Sequence, residues 1–346
     1  MKPAGLNWRV ANILILLGLF VTLATMVSPP PRRPPLGPGE AALVATPIPF
    51  DTEDPGRRRA GALVFRRGWQ LTSPDPRFGG LSAMHVANGE VIGLTDSGVV
   101  MIFALPGSSP NPRVRFIPLQ GNGPAVRRNR DTESLALHGA NAWVGFERSN
   151  RIWRYRVSDW AAEGSAEPEK MRRWGNNSGA ETLVALNDGR FLAIAQGRDG
   201  AEYSDAVLFA GDPADADTPT IDLRYRRIGD FVPTDAAMLS DGRLLVLNRM
   251  VSLFGGMEAI LMIVDLGSPE PGSVLEGRAI AELRAPMAVD NMEALSIARE
   301  QGRTIVRIAS DDNYLSLQRT LLLEFELDET ALQPDRSERA GTAETR

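Results

Sequence analysis

The stretch DTESLALHGANAWVGFERSN, residues 131–150, contains two short apolar segments joined by a turn, with an acid near each end. Four further stretches repeat this pattern: GGLSAMHVANGEVIGLTDSG (79–98), AETLVALNDGRFLAIAQGRD (180–199), TDAAMLSDGRLLVLNRM (234–250) and NMEALSIAREQGRTIVRIASDDN (291–313). The aligned positions, which recur every 48–58 residues, are Gly80, Glu133, Glu181, Asp235 and Glu293. A period of about 50 residues built from short strands is typical of propeller blades.

The repeat predicts an all-β fold, a β-propeller of five four-stranded blades. Asn88-Gly89 and Asp188-Gly189 fall between the first and second strands, where tight hairpins need positive φ. The second repeat is expected to place its strands at 134–137, 142–146, 152–157 and 171–174. An N-terminal strand at 62–71 resembles the fourth strands elsewhere, so we expect it to complete the last blade and close the ring. Six blades are the alternative, if residues 41–50 contribute to another blade.

The N-terminus is typical of a targeting segment. Lys2 and Arg9 flank the start of an apolar run whose main part, residues 13–27, is long for a signal peptide and slightly short for a spanning helix. A signal peptide and an uncleaved membrane anchor both place the remainder outside the cytoplasm, in the periplasm. The expected organisation is a signal peptide or anchor at 1–28, a proline-rich spacer at 29–60, the propeller at 61–328 and a polar, disordered tail at 329–346.

Composition excludes several classes of function. The formal net charge of −5 disfavours sequence-independent binding of nucleic acid, which requires the neutralisation of phosphates. The absence of cysteine excludes disulfides, thiolate metal sites and a cysteine nucleophile. No G-x-S-x-G elbow and no Walker-type loop occurs. The two histidines, His85 and His138, lie in different repeats, so oxygen atoms are the abundant metal donors.

Hairpin geometry brings two positions of each repeat to one end of the ring, because the first strand starts where the second ends. The first set is Gly80, Glu133, Glu181, Asp235 and Glu293. The second set is Asp96, Glu147, Gln196, Arg249 and Asp311. Asp131, Asp290 and Asp312 are close to these positions in the sequence. The sequence therefore predicts an acidic ring at one mouth of the central channel, interrupted at Gly80, Gln196 and Arg249.

Crowded carboxylates repel one another unless they are protonated, paired with arginine or bound to a cation. Arg148, Arg151 and Arg249 can neutralise part of this charge. The oxygen-rich donor set favours calcium over zinc for the remainder. The alternative is structural, with the acids capping strand ends and accepting hydrogen bonds from backbone N–H groups of the neighbouring blade.

These blocks resemble a bacterial protein family, the "esterase-like activity of phytase" proteins, which have a phytase-like propeller domain. The resemblance extends from about residue 60 to residue 328. The blocks that carry it are FGGLSAM (78–84), LTDSG (94–98), DTESLAL (131–137), WVGFERSNRIWRY (143–155), AETLVAL (180–186), DGRLLVLNR (241–249), NMEALSI (291–297) and IASDDN (308–313).

The resemblance implies a calcium-dependent hydrolase that acts on phosphoric or carboxylic ester bonds of a small molecule. The metal ligands that it implies are Glu133, Glu147, Glu181, Asp235, Glu293, Asp311 and Asp312. It also implies catalytic roles for Glu133, Glu181 and Glu293, and substrate binding by Arg148 and Arg249. Gln196 and Asn248 depart from the pattern, since an acid is expected at both positions.

Two further functions are open at this point. A non-enzymatic propeller of the cell envelope would bind a ligand or a protein through the channel mouth, and the N-terminal segment and spacer suit that role. A lactonase-like calcium propeller would use a few acids and asparagine around one cation. Turnover of a small ester disfavours the first of these alternatives, and a lactone assay separates the second from a phosphoesterase.

Overall fold

Five sheets of mostly antiparallel strands form a ring in the computed structural model, which describes residues 37–121, 130–175, 179–198, 200–252 and 256–332. The chain divides into two units, residues 1–33 and 34–346, and all described residues belong to the second. The expected signal peptide or anchor at 1–28 lies outside the described residues. Among the described residues, no helix has the length and apolar character needed to span a membrane.

The first four strands belong to two different blades. They are β1 (Gly39–Ala42), β2 (Val44–Pro47), β3 (Arg59–Ala60) and β4 (Leu63–Thr72). β1 pairs with the outer edge of blade 1, whereas β2, β3 and β4 join blade 5. The N-terminal region therefore connects the first blade to the last.

Blades 1 and 2 each have four strands in order from the axis outward. Blade 1 contains β5 (Leu81–Ala87), β6 (Glu90–Thr95), β7 (Val99–Ala104) and β8 (Arg113–Pro118). Blade 2 contains β9 (Thr132–His138), β10 (Asn141–Phe146), β11 (Arg151–Arg156) and β12 (Ala161–Ala166). Asn88 and Gly89 have φ values of 53° and 74°, as the expected two-residue hairpin requires.

Blades 3 and 4 repeat this order. Blade 3 contains β13 (Ala180–Ala185), β14 (Phe191–Ala195), β15 (Tyr203–Phe209) and β16 (Thr220–Arg226), and its outer edge pairs in parallel with β20 (Val274–Leu275). Blade 4 contains β17 (Val232–Met238), β18 (Leu244–Ser252), β19 (Gly256–Val264) and β21 (Gly277–Leu283).

Blade 5 closes the ring. Its inner strands are β22 (Met292–Glu300), β23 (Arg303–Ser310) and β24 (Thr320–Leu327), and β4 pairs antiparallel with β24. The prediction that an N-terminal strand completes the last blade is therefore confirmed. The innermost strands β5, β9, β13, β17 and β22 contact one another in sequence, and β22 contacts β5.

The core lies between the blades as well as within them. Val99, Val100 and Met101 are consecutive residues of β7, and all three are fully buried. Consecutive residues of a strand point to opposite faces, so both faces of this strand are covered. Burial of both faces explains the continuous apolar runs in the sequence.

The five-blade prediction is confirmed, and the six-blade alternative is wrong, because residues 41–50 contribute only edge strands to blades 1 and 5. The segment expected as a spacer, 29–60, thus includes β1, β2 and β3 where it is described. The predicted fourth strand of blade 2 was also wrong. Residues 171–173 form a 3-10 helix, and β12 is the small-residue segment Ala161–Ala166, which lacks the β-branched and aromatic residues typical of strands.

The C-terminal end of the described chain packs against the propeller. The residues Glu329–Leu332 form a 3-10 helix, and Leu332 is only 2% exposed. This turn lies within the segment 329–346 that the sequence predicts to be a disordered tail. Residues 333–346 lie outside the described residues.

Candidate metal site at the channel mouth

Each innermost strand has a β-bulge near its start. The extra residues, which have no partner on the second strand, are Ser82, Glu133, Glu181, Thr234 and Glu293 in blades 1 to 5. A bulge bends the strand and changes the direction in which its side chain points. Three of the five bulges thus carry a glutamate, whereas blades 1 and 4 carry a short hydroxyl residue.

The two hydroxyl residues join neighbouring blades. Ser82 Oγ donates to the Thr132 carbonyl oxygen of blade 2 at 2.7 Å. Thr234 Oγ1 donates to the Met292 carbonyl oxygen of blade 5 at 3.1 Å. Both acceptors directly precede a glutamate bulge, so these bonds fix the backbone from which Glu133 and Glu293 extend.

The second predicted set follows the ends of the second strands. Asp96, Glu147 and Asp311 each donate their backbone N–H to a carbonyl at the start of the same blade's first strand, at 2.8, 2.9 and 2.9 Å. In blade 2 that acceptor is the Asp131 carbonyl oxygen, so Asp131 lies beside Glu147. The hairpin argument therefore placed these acids at the correct end of the ring.

The structure brings seven acids of four blades together at this end, and we call them the mouth cluster. The mouth cluster consists of Asp96, Asp131, Glu133, Glu147, Glu181, Glu293 and Asp311. The charge of Glu293 raises the pKa of five of the others, Asp96, Glu133, Glu147, Glu181 and Asp311.

Three of these acids have the spacing of cation ligands. One carboxylate oxygen from each of Asp131, Glu133 and Glu147 lies within 4.8 Å of the other two. Two buried oxygens in the adjoining turn, Ser149 Oγ and Asn150 Oδ1, have no hydrogen-bond partner within the described part of the chain. An oxygen-only donor set with unpaired oxygens nearby fits a hard cation such as calcium.

Burial and mutual repulsion destabilise the ionised forms of the mouth cluster. Burial raises the pKa of Glu133 well above its usual value, and the charges of Glu181, Glu293, Glu147 and Asp131 raise it further. Burial also raises the pKa of Glu181 and Asp311 well above their usual values. These carboxylates lack sufficient compensating positive charge from the protein.

Two members of the mouth cluster titrate near neutrality. Burial, with the charges of Asp131, Glu293 and Asp312, raises the pKa of Asp96 to about 7. Burial and the charge of Asp131 raise the pKa of Glu147 to about 7, although the Arg148 guanidinium opposes this shift. Without a cation, the mouth cluster therefore gains protons within the physiological pH range.

The two arginines expected to bind substrate are paired with acids. Arg148 Nε donates to Asp131 Oδ2 at 2.6 Å. Arg249 Nη2 lies 3.0 Å from Glu293 Oε1, which also accepts from Asn291 Nδ2 at 2.8 Å. Both guanidiniums therefore neutralise part of the mouth cluster and hold two of its members in place.

The structure separates Asp235 from the mouth cluster. The aligned bulge of blade 4 is Thr234, so Asp235 is one residue further along the strand, and successive residues point to opposite faces. Its carboxylate accepts from the backbone N–H groups of Ala236 at 2.8 Å and Leu295 at 2.6 Å. Its predicted role as a metal ligand is replaced by a structural one between blades 4 and 5.

Asp312 lies next to the mouth cluster, but its oxygens bind protein groups. Oδ1 accepts from the Gly80 and Tyr314 backbone N–H groups at 2.9 and 3.0 Å, and Oδ2 accepts from Thr320 Oγ1 at 3.0 Å. Asp312 therefore joins blade 5 to blade 1, and its charge contributes to the raised pKa of Asp96. The predicted ligands Glu133, Glu147, Glu181, Glu293 and Asp311 do come together.

The predicted site omitted two acids that belong to it, Asp131 and Asp96. Asp131 lies two residues before the Glu133 bulge and provides one oxygen of the three-acid group. The signal for Asp131 in the sequence is its position at the start of a repeat. Asp96 belongs to the second predicted set, but the predicted ligands do not include it.

Comparison with known proteins identifies a family, and two solved structures match at low sequence identity. The sequence model for phytase-like proteins, described as esterase-like activity of phytase, matches residues 76–314. Glutaminyl cyclase of Myxococcus xanthus is 10% identical over 77% of this chain and 97% of that chain, with a TM-score of 0.42. A structure of a nidogen/laminin complex is 10% identical over 78% of this chain and 88% of that chain, with a TM-score of 0.40. None of the curated proteins matches the sequence.

Proposed function

The chain belongs to the family described as esterase-like activity of phytase, and from that premise we propose that it is a calcium-dependent hydrolase of small phosphoric or carboxylic esters. The observation that carries the proposal is the group formed by Asp131, Glu133 and Glu147, whose carboxylate oxygens lie within 4.8 Å of one another. These three side chains would hold the cation. A cation held there would polarise the ester and would lower the pKa of water bound to it.

The remaining acids have separable roles. Glu181 is 7% exposed, and its carboxyl makes no hydrogen bond to any other described residue. Burial raises its pKa well above the usual value, which is the direction that suits a proton donor. Glu293 is instead fixed by Asn291 and Arg249. Glu181 is therefore the proposed proton donor, and Glu293 orients Arg249 at the mouth.

The reaction proposed is hydrolysis. The oxygen of a water molecule forms a bond to the phosphorus or acyl carbon, and the bond from that atom to the alcohol oxygen breaks. The leaving alcohol oxygen takes a proton from Glu181, and the attacking water loses one to solvent. The partner of the protein in this proposal is a small-molecule ester. The net charge of −5 disfavours nucleic acid, which presents many phosphates at once.

Export of the protein is also part of the proposal. The positively charged, apolar segment at 1–28 supports a location in the periplasm, with the propeller either released or tethered to the inner membrane by that segment. A calcium requirement is compatible with this location. Detection of the protein in a periplasmic fraction or in the membrane fraction distinguishes the two forms.

Turnover of two simple esters tests the proposal. Purified full-length protein is assayed with p-nitrophenyl phosphate and p-nitrophenyl acetate, with calcium and then with EDTA. We expect hydrolysis that requires calcium and that Glu133→Gln impairs. Glu90→Gln should have no effect, because Glu90 is exposed at the start of β6, at the opposite end of blade 1. Absence of turnover on a broad ester panel with calcium present would favour a non-enzymatic binding function, and turnover restricted to lactones would favour the lactonase-like alternative.

A further inference from the structure

A cavity of about 650 Å³ lies where the connection from blade 2 meets the beginning of β15. Its wall includes Arg173 and Trp174 from the connection, and four blade 3 residues: Gln196, Arg198, Tyr203 and Asp205. Two guanidiniums therefore face the cavity together with one carboxylate, so the charge of these side chains is positive on balance. The volume is within the range of pockets that bind small molecules. The size of this cavity therefore suits a small-molecule ligand.

The cavity adjoins the mouth cluster through Gln196. Ala195 pairs with Ala180, directly before the Glu181 bulge, so Gln196 occupies the blade 3 position that corresponds to Glu147 and Asp311. Among the five corresponding positions of the blades, this is the one where the side chain is a neutral amide. A ligand in the cavity can therefore reach the channel mouth without meeting a carboxylate at that position.

A second link runs through the turn that carries Glu147. The Asn150 backbone N–H donates to the Glu147 carbonyl oxygen at 3.1 Å. The Asn150 side-chain Nδ2 donates to the Trp174 carbonyl oxygen, also at 3.1 Å. Because Asn150 is buried, it holds one wall of the cavity in a fixed position relative to a proposed cation ligand.

The walls combine aromatic rings with positive charge. Trp174 is 6% exposed and Tyr203 is half-buried, so both rings are held by packing. The guanidinium carbons of Arg224 and Arg226 lie 4.8 and 4.9 Å from the centroid of the Tyr203 ring. Aromatic walls favour a flat ligand. Arg226 is already paired with Glu202 and Glu276, so the positive charge available to a ligand comes from the arginines of the cavity wall itself.

The two arginines of the cavity differ from those of the mouth cluster. Arg148 and Arg249 are bound to Asp131 and Glu293. By contrast, the exposed guanidiniums of Arg173 and Arg198 form no ion pair with any carboxylate in the described parts of the chain. Unpaired guanidiniums are suited to charge-assisted hydrogen bonds with an anionic ligand.

We propose that this cavity binds a flat aromatic carboxylate, and that it selects esters in which one side of the ester bond carries such a group. The aromatic ring of the ligand would lie against Trp174 and Tyr203, and its carboxylate would face Arg173 and Arg198. The Gln196 amide would contact the part of the ligand nearest the channel mouth. The substrate selection rests on the proposed ester hydrolysis, whereas ligand binding by the cavity does not.

Calorimetric titration of the full-length protein with benzoate tests the cavity without relying on turnover. The titration is done in EDTA and again in calcium. Benzoate is compared with cyclohexanecarboxylate, which has the same charge but is not flat, and with benzamide, which is flat but uncharged. We expect benzoate to bind more tightly than either comparison compound, with and without calcium.

Two variants identify the walls responsible. The double variant Arg173→Gln/Arg198→Gln is expected to bind benzoate at least about tenfold more weakly, because two charge-assisted contacts are lost. Tyr203→Leu is expected to weaken binding about three- to tenfold through loss of the aromatic contact. Arg190→Gln is the matched control, because Arg190 lies in the turn at the far end of blade 3 and pairs with Asp188. Circular dichroism and thermal melting verify that each variant is folded.

Two results would overturn the proposal for the cavity. One is the absence of benzoate binding to the wild-type protein at millimolar concentration. The other is equal benzoate affinity in the wild-type protein and in a folded double variant. Benzoate binding in a protein that hydrolyses no ester would leave the cavity assignment standing while overturning the proposed hydrolase function, so the two failures are distinguishable.

Discussion

The Asp235 carboxylate accepts a 2.6 Å hydrogen bond from the backbone N–H of Leu295, which joins blade 4 to blade 5 at the level of their innermost strands. The same carboxylate accepts from the Ala236 backbone N–H at 2.8 Å. Asp235 is 3% exposed, so no solvent replaces either bond. This acid therefore contributes to the closure of the ring rather than to the mouth cluster.

Replacing Asp235 is expected to lower stability without changing cation binding. Asp235→Ala leaves two buried N–H groups without acceptors, and we expect the free energy of unfolding to fall by about 2–5 kcal/mol. Denaturant unfolding measures this loss. Asp230→Ala is the matched control, because Asp230 is exposed in the loop that enters blade 4. If the folded Asp235→Ala protein lost calcium binding as well, the structural role assigned to Asp235 would be wrong.

Glu147 and Glu181 are expected to differ in what their replacement removes. Glu147→Gln deletes a charge from the three-acid group and should weaken calcium affinity by about 10- to 100-fold, with activity restored at high calcium. Glu181→Gln should leave calcium affinity within a few-fold and lower kcat by about 100- to 10,000-fold, because a proton donor is lost. Calcium titration and steady-state kinetics on both variants test this difference. Equal calcium dependence in the two variants would contradict the separate roles.

The metal-free protein is expected to lose stability as the pH rises towards neutrality. The pKa of Asp96 and that of Glu147 are each raised to about 7 in the folded protein, from ordinary values of 3.8 and 4.5. The folded state thus binds protons more tightly than the unfolded chain. The contribution of these bound protons to the free energy of unfolding is complete below about pH 4 and is lost as the pH rises through about 7.

Melting temperatures measured in EDTA at a series of pH values from about 4 to about 7 test this expectation. We expect the Tm to fall as the pH rises, and saturating calcium to reduce the fall, because the cation neutralises the ionised carboxylates. A Tm in EDTA that increases steadily over this interval would contradict the assigned electrostatics. Glu147→Gln should show a smaller pH dependence than the wild-type protein.

The sequence was sufficient to predict the ring and the end at which its acids collect. Repeated hairpins with Asn-Gly and Asp-Gly turns determine the strand order, and antiparallel pairing then brings Glu133 and Glu147 to one end. The segment 62–71 was recognisable as a closing strand from its likeness to other fourth strands. These inferences depend on local patterns that recur along the chain.

The details that the sequence missed depend on one-residue differences in register. Apolar patterns do not reveal a bulge, so Asp235 was aligned with Glu181 although Thr234 is its true counterpart. A shift of one residue turns a side chain to the opposite face of the strand. The pairing of Arg148 with Asp131 and of Arg249 with Glu293 also required three-dimensional contacts, because both arginines looked available for substrate.

The central claim is that Asp131, Glu133 and Glu147 hold a calcium ion, and calorimetric titration of calcium into chelator-treated full-length protein tests it most directly. The wild-type protein is predicted to bind at least one calcium ion, Glu133→Gln to bind it at least about tenfold more weakly, and Glu90→Gln to match the wild type. Absence of calcium binding at millimolar concentration, or unchanged affinity in a folded Glu133→Gln protein, would contradict the claim.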